Sequence, residues 1–397
     1  MIKRRAFIVG SSALTLSQLA SGCNSWQQPS LKVRLLQDSI PAQLVGEFRK
    51  ALKLSAPLKF DPEEQLQILF TRLQTWKRQV NKENSQQQWR IPFIGRNTPA
   101  ISADLVTLGD YWLESAIQQE LIQPLNVEKL NGWQQLPPRW QEIVRRDRKG
   151  QLSNSGQVWG APYRWGTTVI AYRRDKFKAL GWTPTDWSDL WRPELRSRIS
   201  LLDQPREVIG LTLKKLGFSY NTTNLSQVPN LKEELQALHQ QVKFYSSDHY
   251  LQPLILEDTW LAVGWSTDVF SVRTSRPIEV VVPQSGTALW ADMWVQPASP
   301  SMQSNAIETD THQSLAKQWI EFCWQPKQAI ELSVLSNAAS PIIASLDPAK
   351  LPKAISANHV LLPQPSVLDK SEFLKPLPES AVEQYQALWQ EIRTANL

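Results

Sequence analysis

The 397-residue chain has few of the side chains on which metal and thiol chemistry depend: 2 cysteines, 4 histidines and 3 methionines. No histidine has metal-ligand spacing to another histidine or to a cysteine. The histidines are His239, His249, His312 and His359. The sequence therefore predicts neither a metal site nor another cofactor.

Recognisable catalytic motifs are also missing. The chain has no G-x-S-x-G nucleophile turn, no Walker loop, no H-E-x-x-H pair and no glycine-rich dinucleotide turn. Leu315, Trp319 and Cys323 fall at helical spacing, which makes Cys323 a core residue and not a nucleophile. We do not expect an enzyme.

Charge and aromatic content argue against nucleic acid as a partner. The formal net charge is +6, and no basic run is interleaved with aromatics in the manner of RNA-binding proteins. Tryptophan is abundant, with 18 residues. Indole rings offer flat surfaces for packing or for holding a ligand, and most of them must be structural.

The first 22 residues have the pattern of a secretory signal peptide. A basic cluster (Lys3-Arg4-Arg5) precedes a small, mostly uncharged run from Ala6 to Ala20. Ser21-Gly22-Cys23 resembles a bacterial lipobox, with Ala20 where Leu is commoner, and predicts lipidation of Cys23. Arg4-Arg5-Ala6-Phe7-Ile8 resembles the twin-arginine (Tat) motif.

A membrane-spanning anchor is the alternative for this segment. Its run of fifteen residues, several of them Ser or Gly, is shorter than the roughly 20 apolar residues that a spanning helix needs. We expect a periplasmic protein anchored to the membrane as a lipoprotein, with residues 23–30 as a tether. Cys23 being lipidated, no intrachain disulfide with Cys323 is available.

The remainder of the chain reads as α/β. Alternating residues predict strands at 31–35, 103–108 and 277–283, and Pro41 begins an amphipathic helix. Gly109-Asp110 follows the second strand and leads into a helix from about Tyr111. Strands that alternate with helices favour an α/β sheet.

Three stretches resemble the periplasmic spermidine/putrescine-binding proteins of ABC importers. They are Ala161-Pro162-Tyr163-Arg164-Trp165-Gly166-Thr167-Thr168-Val169-Ile170-Ala171-Tyr172, the pieces Trp187–Glu194, Asp203–Val208 and Lys215–Thr222, and Gly264-Trp265-Ser266 with Leu289-Trp290-Ala291-Asp292. The resemblance covers the chain from about Leu31 and is densest over 158–297.

The resemblance implies the α/β, two-lobed type II periplasmic-binding-protein fold, with two crossing strands as a hinge. Residues 31–168 and 291–337 would form lobe 1, and residues 169–290 and 338–397 would form lobe 2. A small cationic ligand would lie in the cleft between the lobes, and the closed form would dock on an ABC permease.

The same resemblance suggests which residues contact ligand. Carboxylates would hold ammonium groups and aromatic faces would cover methylenes. The candidates are Glu207, Trp265, Trp290 and Asp292, with Tyr111 and Ser247 as further contacts. The alternatives for these residues are core packing for the tryptophans, turn capping for Asp292 and an ion pair with Arg206 for Glu207.

Several positions depart from the family pattern. Gln204 stands three residues before Glu207, where polyamine binders carry an acid, and the segment 36–39 after the first strand has no aromatic residue. Asp110 and Asp38 are candidates to restore negative charge. An amide both donates and accepts hydrogen bonds, so the ligand is either a polyamine held differently or a relative with fewer cationic ends.

Two other functions stay open from the sequence. Ferric iron receptors share the two-lobed fold but use neighbouring tyrosines, whereas the 7 tyrosines here include no adjacent pair. The second open function is an envelope enzyme or an assembly factor built on the receptor fold, because a fold does not determine the function.

Overall fold

The computed structural model describes residues 30–52, 56–87, 103–273, 276–298 and 314–394. The predicted signal peptide, Cys23 and the tether up to residue 29 lie outside the described residues. No helix in the described ranges is both long enough and apolar enough to cross a membrane.

Helices and strands alternate along most of the chain. The strands are β1 (Leu31–Leu36), β2 (Leu58–Glu63), β3 (Leu105–Gly109), β4 (Ile122–Gln123), β5 (Arg145–Arg146), β6 (Gln157–Val158), β7 (Ala161–Arg173), β8 (Ile199–Leu201), β9 (Val242–Tyr245), β10 (Leu261–Trp265), β11 (Ile278–Val281), β12 (Ala288–Pro297) and β13 (Glu372–Phe373). The helices are α1 (Ala42–Ala51), α2 (Leu66–Gln87), α3 (Asp110–Gln118), α4 (Asn131–Gln135), α5 (Pro138–Glu142), α6 (Arg174–Leu180), α7 (Pro205–Lys215), α8 (Leu231–His239), α9 (Gln252–Ile255), α10 (Ser266–Arg273), α11 (Leu315–Cys323), α12 (Pro326–Leu335), α13 (Lys353–Ser356), α14 (Pro365–Leu368) and α15 (Glu379–Thr394).

The elements predicted from alternation and helical spacing are present. β1, β3 and β11 occupy the three predicted strands, and α1 begins directly after Pro41. Helix α3 begins at Asp110, one residue before the predicted start. Cys323 ends α11 and is fully buried, which confirms its prediction as a core residue.

The sheet has two parts that share one long strand. In the first part the order is β2-β1-β3-β12-β7, with β2, β1 and β3 parallel and β12 antiparallel to both β3 and β7. In the second part the order is β7-β10-β8-β9, and β11 also pairs with β7. These orders place β7 at the junction.

Strand β7 passes from one part to the other in its middle. Residues 161–167 pair with β12, and residues 168–173 pair with β10 and β11. We call the part built on β1 to β6, residues 161–167 and β12 the first lobe, and the part built on residues 168–173 and β8 to β11 the second lobe. Their separate apolar cores confirm the predicted two-lobed α/β fold class.

The last segment of the chain packs on both lobes. Residues 339–355 contribute side chains to the core of the first lobe, whereas Leu377, Ala381, Tyr385 and Ile392 join a core of the second. The predicted lobe boundaries, which placed all of 338–397 in lobe 2, stay a prediction.

Candidate ligand-binding cleft

One face of β7 supports the candidate site at the junction of the lobes. Successive side chains of a strand point to opposite faces, so Arg164, Gly166 and Thr168 share a face. In register, Arg164 lies opposite Asp292, Gly166 opposite Trp290, and Thr168 opposite Trp265. The strand therefore brings three residues predicted from distant parts of the sequence to one place.

Glu207 is a buried carboxylate at this junction. It lies in the first turn of α7, two residues after Pro205, and is 5 % exposed. The Thr168 hydroxyl donates to its Oε1 and Oε2 at 3.2 and 3.0 Å. Burial raises the pKa of Glu207 to about 7, although Thr168, the Trp265 side chain and Arg206 each oppose that shift.

Asp110 is a second buried carboxylate, from the first lobe. It opens α3, where the positive end of the helix dipole favours an anion, and the backbone N–H of Ala291 donates to its Oδ1 at 3.1 Å. Burial raises the pKa of Asp110 to about 7, and the neighbouring Asp292 adds to the shift. Asp110 and Glu207 also act on each other, since Asp110 raises the pKa of Glu207.

Asp292 already has a cationic partner. Arg164 donates from Nε to Asp292 Oδ2 at 2.6 Å, and the two side chains are 6 % and 3 % exposed. Burial nevertheless raises the pKa of Asp292, against the opposing charge of Arg164. The sequence analysis expected this carboxylate to face ligand and assigned no role to Arg164.

The two candidate tryptophans flank these acids and are both partly buried. Trp265 ends β10, and its backbone N–H donates to the Tyr250 hydroxyl at 3.0 Å. Trp290 lies against Gly166, because a Cβ on that glycine would meet Trp290 Cζ2 at 2.3 Å. The Trp290 ring is also 5.8 Å from the Arg164 guanidinium carbon.

A large cleft of about 1490 Å³ opens beside the junction. Its walls come from the β1–α1 loop of the first lobe and from the β9–α9 loop and α10 of the second. Arg164, Asp38 and Asp268 line it. Asp268 accepts a hydrogen bond from the Tyr250 hydroxyl at 2.8 Å, and burial raises its pKa.

The remaining predicted contacts lie in loops and at the starts of helices around the junction. Asp38 is exposed, and Ser247 is half-buried in a loop next to the cleft-lining Asp248. Gln204 is the N-cap residue of α7 and is partly buried. Tyr111 is 62 % exposed and, with Asp110, lines a separate cavity of about 320 Å³.

The sequence analysis missed Arg164, Thr168 and Asp268 as site residues. One signal was available for Arg164: it is the only charged residue among the apolar and hydroxyl side chains of 161–171. A single charged side chain in a buried strand needs an oppositely charged partner, and such buried pairs often lie at functional sites. Asp268 lies in the first turn of α10, three residues after Trp265, and spacing alone did not distinguish it from an acid that stabilises the start of a helix.

The arrangement leaves two buried acids without an ion pair to any described residue. Among the residues that the structure describes, no group of three or more His, Cys, Asp or Glu side chains is placed to hold a metal. Glu207 and Asp110 form no ion pair with a described residue, and the Trp265 side chain is hydrogen-bonded to Glu207. A ligand that brings positive charge would offset the free energy cost of burying these acids.

The chain is similar to known solute-binding proteins. A family model described as bacterial extracellular solute-binding protein matches residues 100–365. The spermidine/putrescine-binding periplasmic protein of Salmonella typhimurium is 27% identical over 289 residues, which cover 72% of this chain and 77% of that protein. The putrescine/cadaverine-binding protein of Pseudomonas aeruginosa is 28% identical over 255 residues, or 60% of this chain and 68% of that protein.

Solved structures share the fold. PotD of Streptococcus pneumoniae, the substrate-binding protein of a spermidine/putrescine ABC transporter, superimposes with a TM-score of 0.71 at 20% identity and covers 92% of this chain and 99% of its own. The TpPotD lipoprotein of Treponema pallidum gives a TM-score of 0.62 at 19% identity, with 92% and 100% covered. The predicted type II periplasmic-binding-protein fold is thereby confirmed.

Proposed function

The chain belongs to the bacterial extracellular solute-binding protein family, and on that premise we propose that it is the receptor of an ABC importer for polyamines. The observation that carries the proposal is the pair Glu207 and Asp110, two buried acids at the junction that form no ion pair with a described residue. Relatives named for spermidine, putrescine and cadaverine binding support the same ligand class.

A polyamine matches the chemistry of this junction. Its ammonium groups pair with carboxylates, and its methylenes and charges lie against indole faces. One charge pair at about 4 Å contributes on the order of 4 kcal/mol at an effective dielectric constant near 20. In our proposal Glu207 and Asp110 hold ammonium groups, and Trp265 and Trp290 cover the chain between them.

The remaining predicted contacts have peripheral roles in this proposal. Asp38 lines the large cleft and Ser247 precedes the cleft-lining Asp248, and we propose that their polar atoms meet a ligand as the lobes close. Gln204 contributes an amide in place of an acid, and Tyr111 lies on the outer side of Asp110. Asp292 acts through Arg164, its ion-pair partner.

Saturable binding measured by calorimetry tests the ligand class. We expect putrescine and spermidine to bind, with affinity that falls as salt rises because charge pairs carry part of the binding. Tight binding of an anion or a neutral sugar, with no response to any amine, would overturn the polyamine assignment. Turnover of a bound compound would instead point to an envelope enzyme on this fold.

We also propose that the protein is exported by the Tat route and is anchored to the membrane in the periplasm. The support for this proposal is the basic, then apolar leader that ends in Ala20-Ser21-Gly22-Cys23, followed by a polar tether. Lipidated Cys23 would hold the receptor near a permease in the cytoplasmic membrane. Cys23→Ser should move the protein from the membrane fraction to the soluble fraction, and a membrane-free wild type that keeps its leader would contradict the anchor.

A further inference from the structure

We propose that Arg164 is a resident counter-ion that occupies one amine-binding position of the cleft, so that the receptor prefers a diamine to a longer triamine. This inference rests on the proposed function and specifies its ligand.

The Arg164 guanidinium already has the environment that a ligand ammonium needs. It donates from Nε to Asp292 Oδ2 at 2.6 Å, and its central carbon lies 5.8 Å from the Trp290 ring centroid. A carboxylate on one side and an indole ring on the other are what a bound alkylammonium requires. The chain supplies this cation itself, so the position is filled before any ligand arrives.

A ligand is poorly placed to displace Arg164. The guanidinium stays charged at all physiological pH values, and its side chain is only 6 % exposed. If an ammonium took its place on Asp292, a buried guanidinium would be left without its partner, which costs more than the new contact contributes. The partly buried Asp268 adds to this, because its negative charge also favours the cationic form of Arg164.

The length of the ligand follows from which acids remain. With Asp292 paired, Glu207 and Asp110 are the buried acids at the junction with no ion pair to a described residue. The other acids there, Asp292 and the cleft-lining Asp268, both interact with the charge of Arg164, so a third ammonium that approached either of them would be repelled by Arg164. A diamine has no such group.

The test compares putrescine and spermidine by calorimetry on the full mature protein and on Arg164→Gln. For wild type we expect putrescine to bind at least as tightly as spermidine. In Arg164→Gln the freed Asp292 should bind the additional ammonium, so the spermidine-to-putrescine affinity ratio should rise by about tenfold or more.

Three variants serve as controls. Arg164→Lys keeps a cation beside Asp292, and Arg164→Gln combined with Asp292→Asn removes both charges; neither should raise the ratio. Arg173→Gln is the matched control for loss of an arginine, because Arg173 also lies in β7, is 5 % exposed and pairs with Asp175 and Glu257 away from the acids of the junction.

The outcomes separate this inference from the proposed function. Amine binding with the same ratio in wild type and Arg164→Gln would overturn the role of Arg164 and leave the amine receptor standing, as would a wild type that prefers spermidine more than tenfold. If Arg164→Gln does not fold without ligand, the spermidine-to-putrescine affinity ratio of the wild type still tests the inference. No binding of either amine by wild type would overturn the proposed function as well.

Discussion

The hydroxyl of Thr168 lies within 3.2 Å of both carboxylate oxygens of Glu207, at the junction of the two lobes. Thr168 is the residue at which β7 changes its partners from the first lobe to the second. The strand that connects the lobes therefore also supplies the hydrogen bonds that favour the ionised form of the buried acid. The residue at which the strand changes lobes is therefore also the residue that contacts the buried charge of Glu207.

Thr168→Val should weaken amine binding with little change in shape. A hydrogen bond to a charged group contributes about 1.5–3 kcal/mol, and its loss raises the pKa of Glu207 further. The hydrogen bond is already present without ligand, so binding is weakened through the lower ionised fraction of Glu207, and at pH 7 we expect affinity for putrescine to fall by about three- to tenfold. Thr167→Val is the matched control, because the buried Thr167 hydroxyl has no hydrogen-bond partner among the described residues. Equal affinity in the two variants would contradict this role for Thr168.

Amine affinity should depend on pH through Glu207. The acid must be ionised to pair with an ammonium, and burial raises its pKa to about 7. Affinity should therefore rise on the order of tenfold between pH 5.5 and 7.5. In Glu207→Gln the affinity should be lower and the rise smaller, with the remaining rise coming from Asp110, whose pKa is also raised to about 7. Glu372→Gln is the control, because it removes an acid that is hydrogen-bonded to Lys214 and Ser219 outside the cleft. If amine affinity no longer changed with pH in this control, the pH dependence could not be assigned to Glu207.

The stability of the ligand-free protein should change with pH in the opposite sense. Glu207 and Asp110 bind protons more tightly when folded, since their pKa values rise from 4.5 and 3.8 to about 7. Their contribution to the free energy of unfolding is present at low pH and is lost as pH rises from about 4 to about 7. Urea unfolding at pH 5 and pH 7.5 should show a decrease that is smaller in Glu207→Gln, by on the order of 2 kcal/mol. The same decrease in both proteins would exclude Glu207 as its source.

Gly166→Ala tests the contact that positions Trp290. A Cβ there would meet Trp290 Cζ2 at 2.3 Å and Ser266 Oγ at 2.5 Å. We expect a loss of about 1–3 kcal/mol in urea unfolding and weaker amine binding, because Trp290 must move. Gly46→Ala provides the contrast: it lies inside α1 with nothing within 4 Å, and should stabilise by about 0.5–1 kcal/mol. If Gly166→Ala changed neither the free energy of unfolding nor amine binding, Trp290 would not be held in place by this contact.

The local elements could be predicted from the sequence because their signals are local. Alternation at 31–35 and 277–283, and proline before α1, set strand and helix without reference to distant residues. The resemblance added the two-lobed arrangement and the residues Glu207, Trp265, Trp290 and Asp292, which the fold does bring to one junction. Whether they contact ligand stays a prediction.

The pairings inside the site could not be predicted from the sequence. Arg164 and Asp292 are separated by 128 residues, and Asp110 meets the backbone of Ala291 across 181 residues. Composition and spacing do not predict which acid will form an ion pair, because that depends on the register in which two distant strands pair. That register left Glu207 and Asp110, and not Asp292, as the acids without an ion pair among the described residues.

A crystal structure of the mature protein with putrescine would test the central claim most directly. We predict one ammonium within about 3 Å of a Glu207 carboxylate oxygen and the methylene chain against an indole face, with Arg164 still bound to Asp292. Two results would contradict the account. One is a diamine bound to Asp292 with Arg164 displaced. The other is a diamine bound in the separate cavity of about 320 Å³ beside Tyr111, with no contact to Glu207.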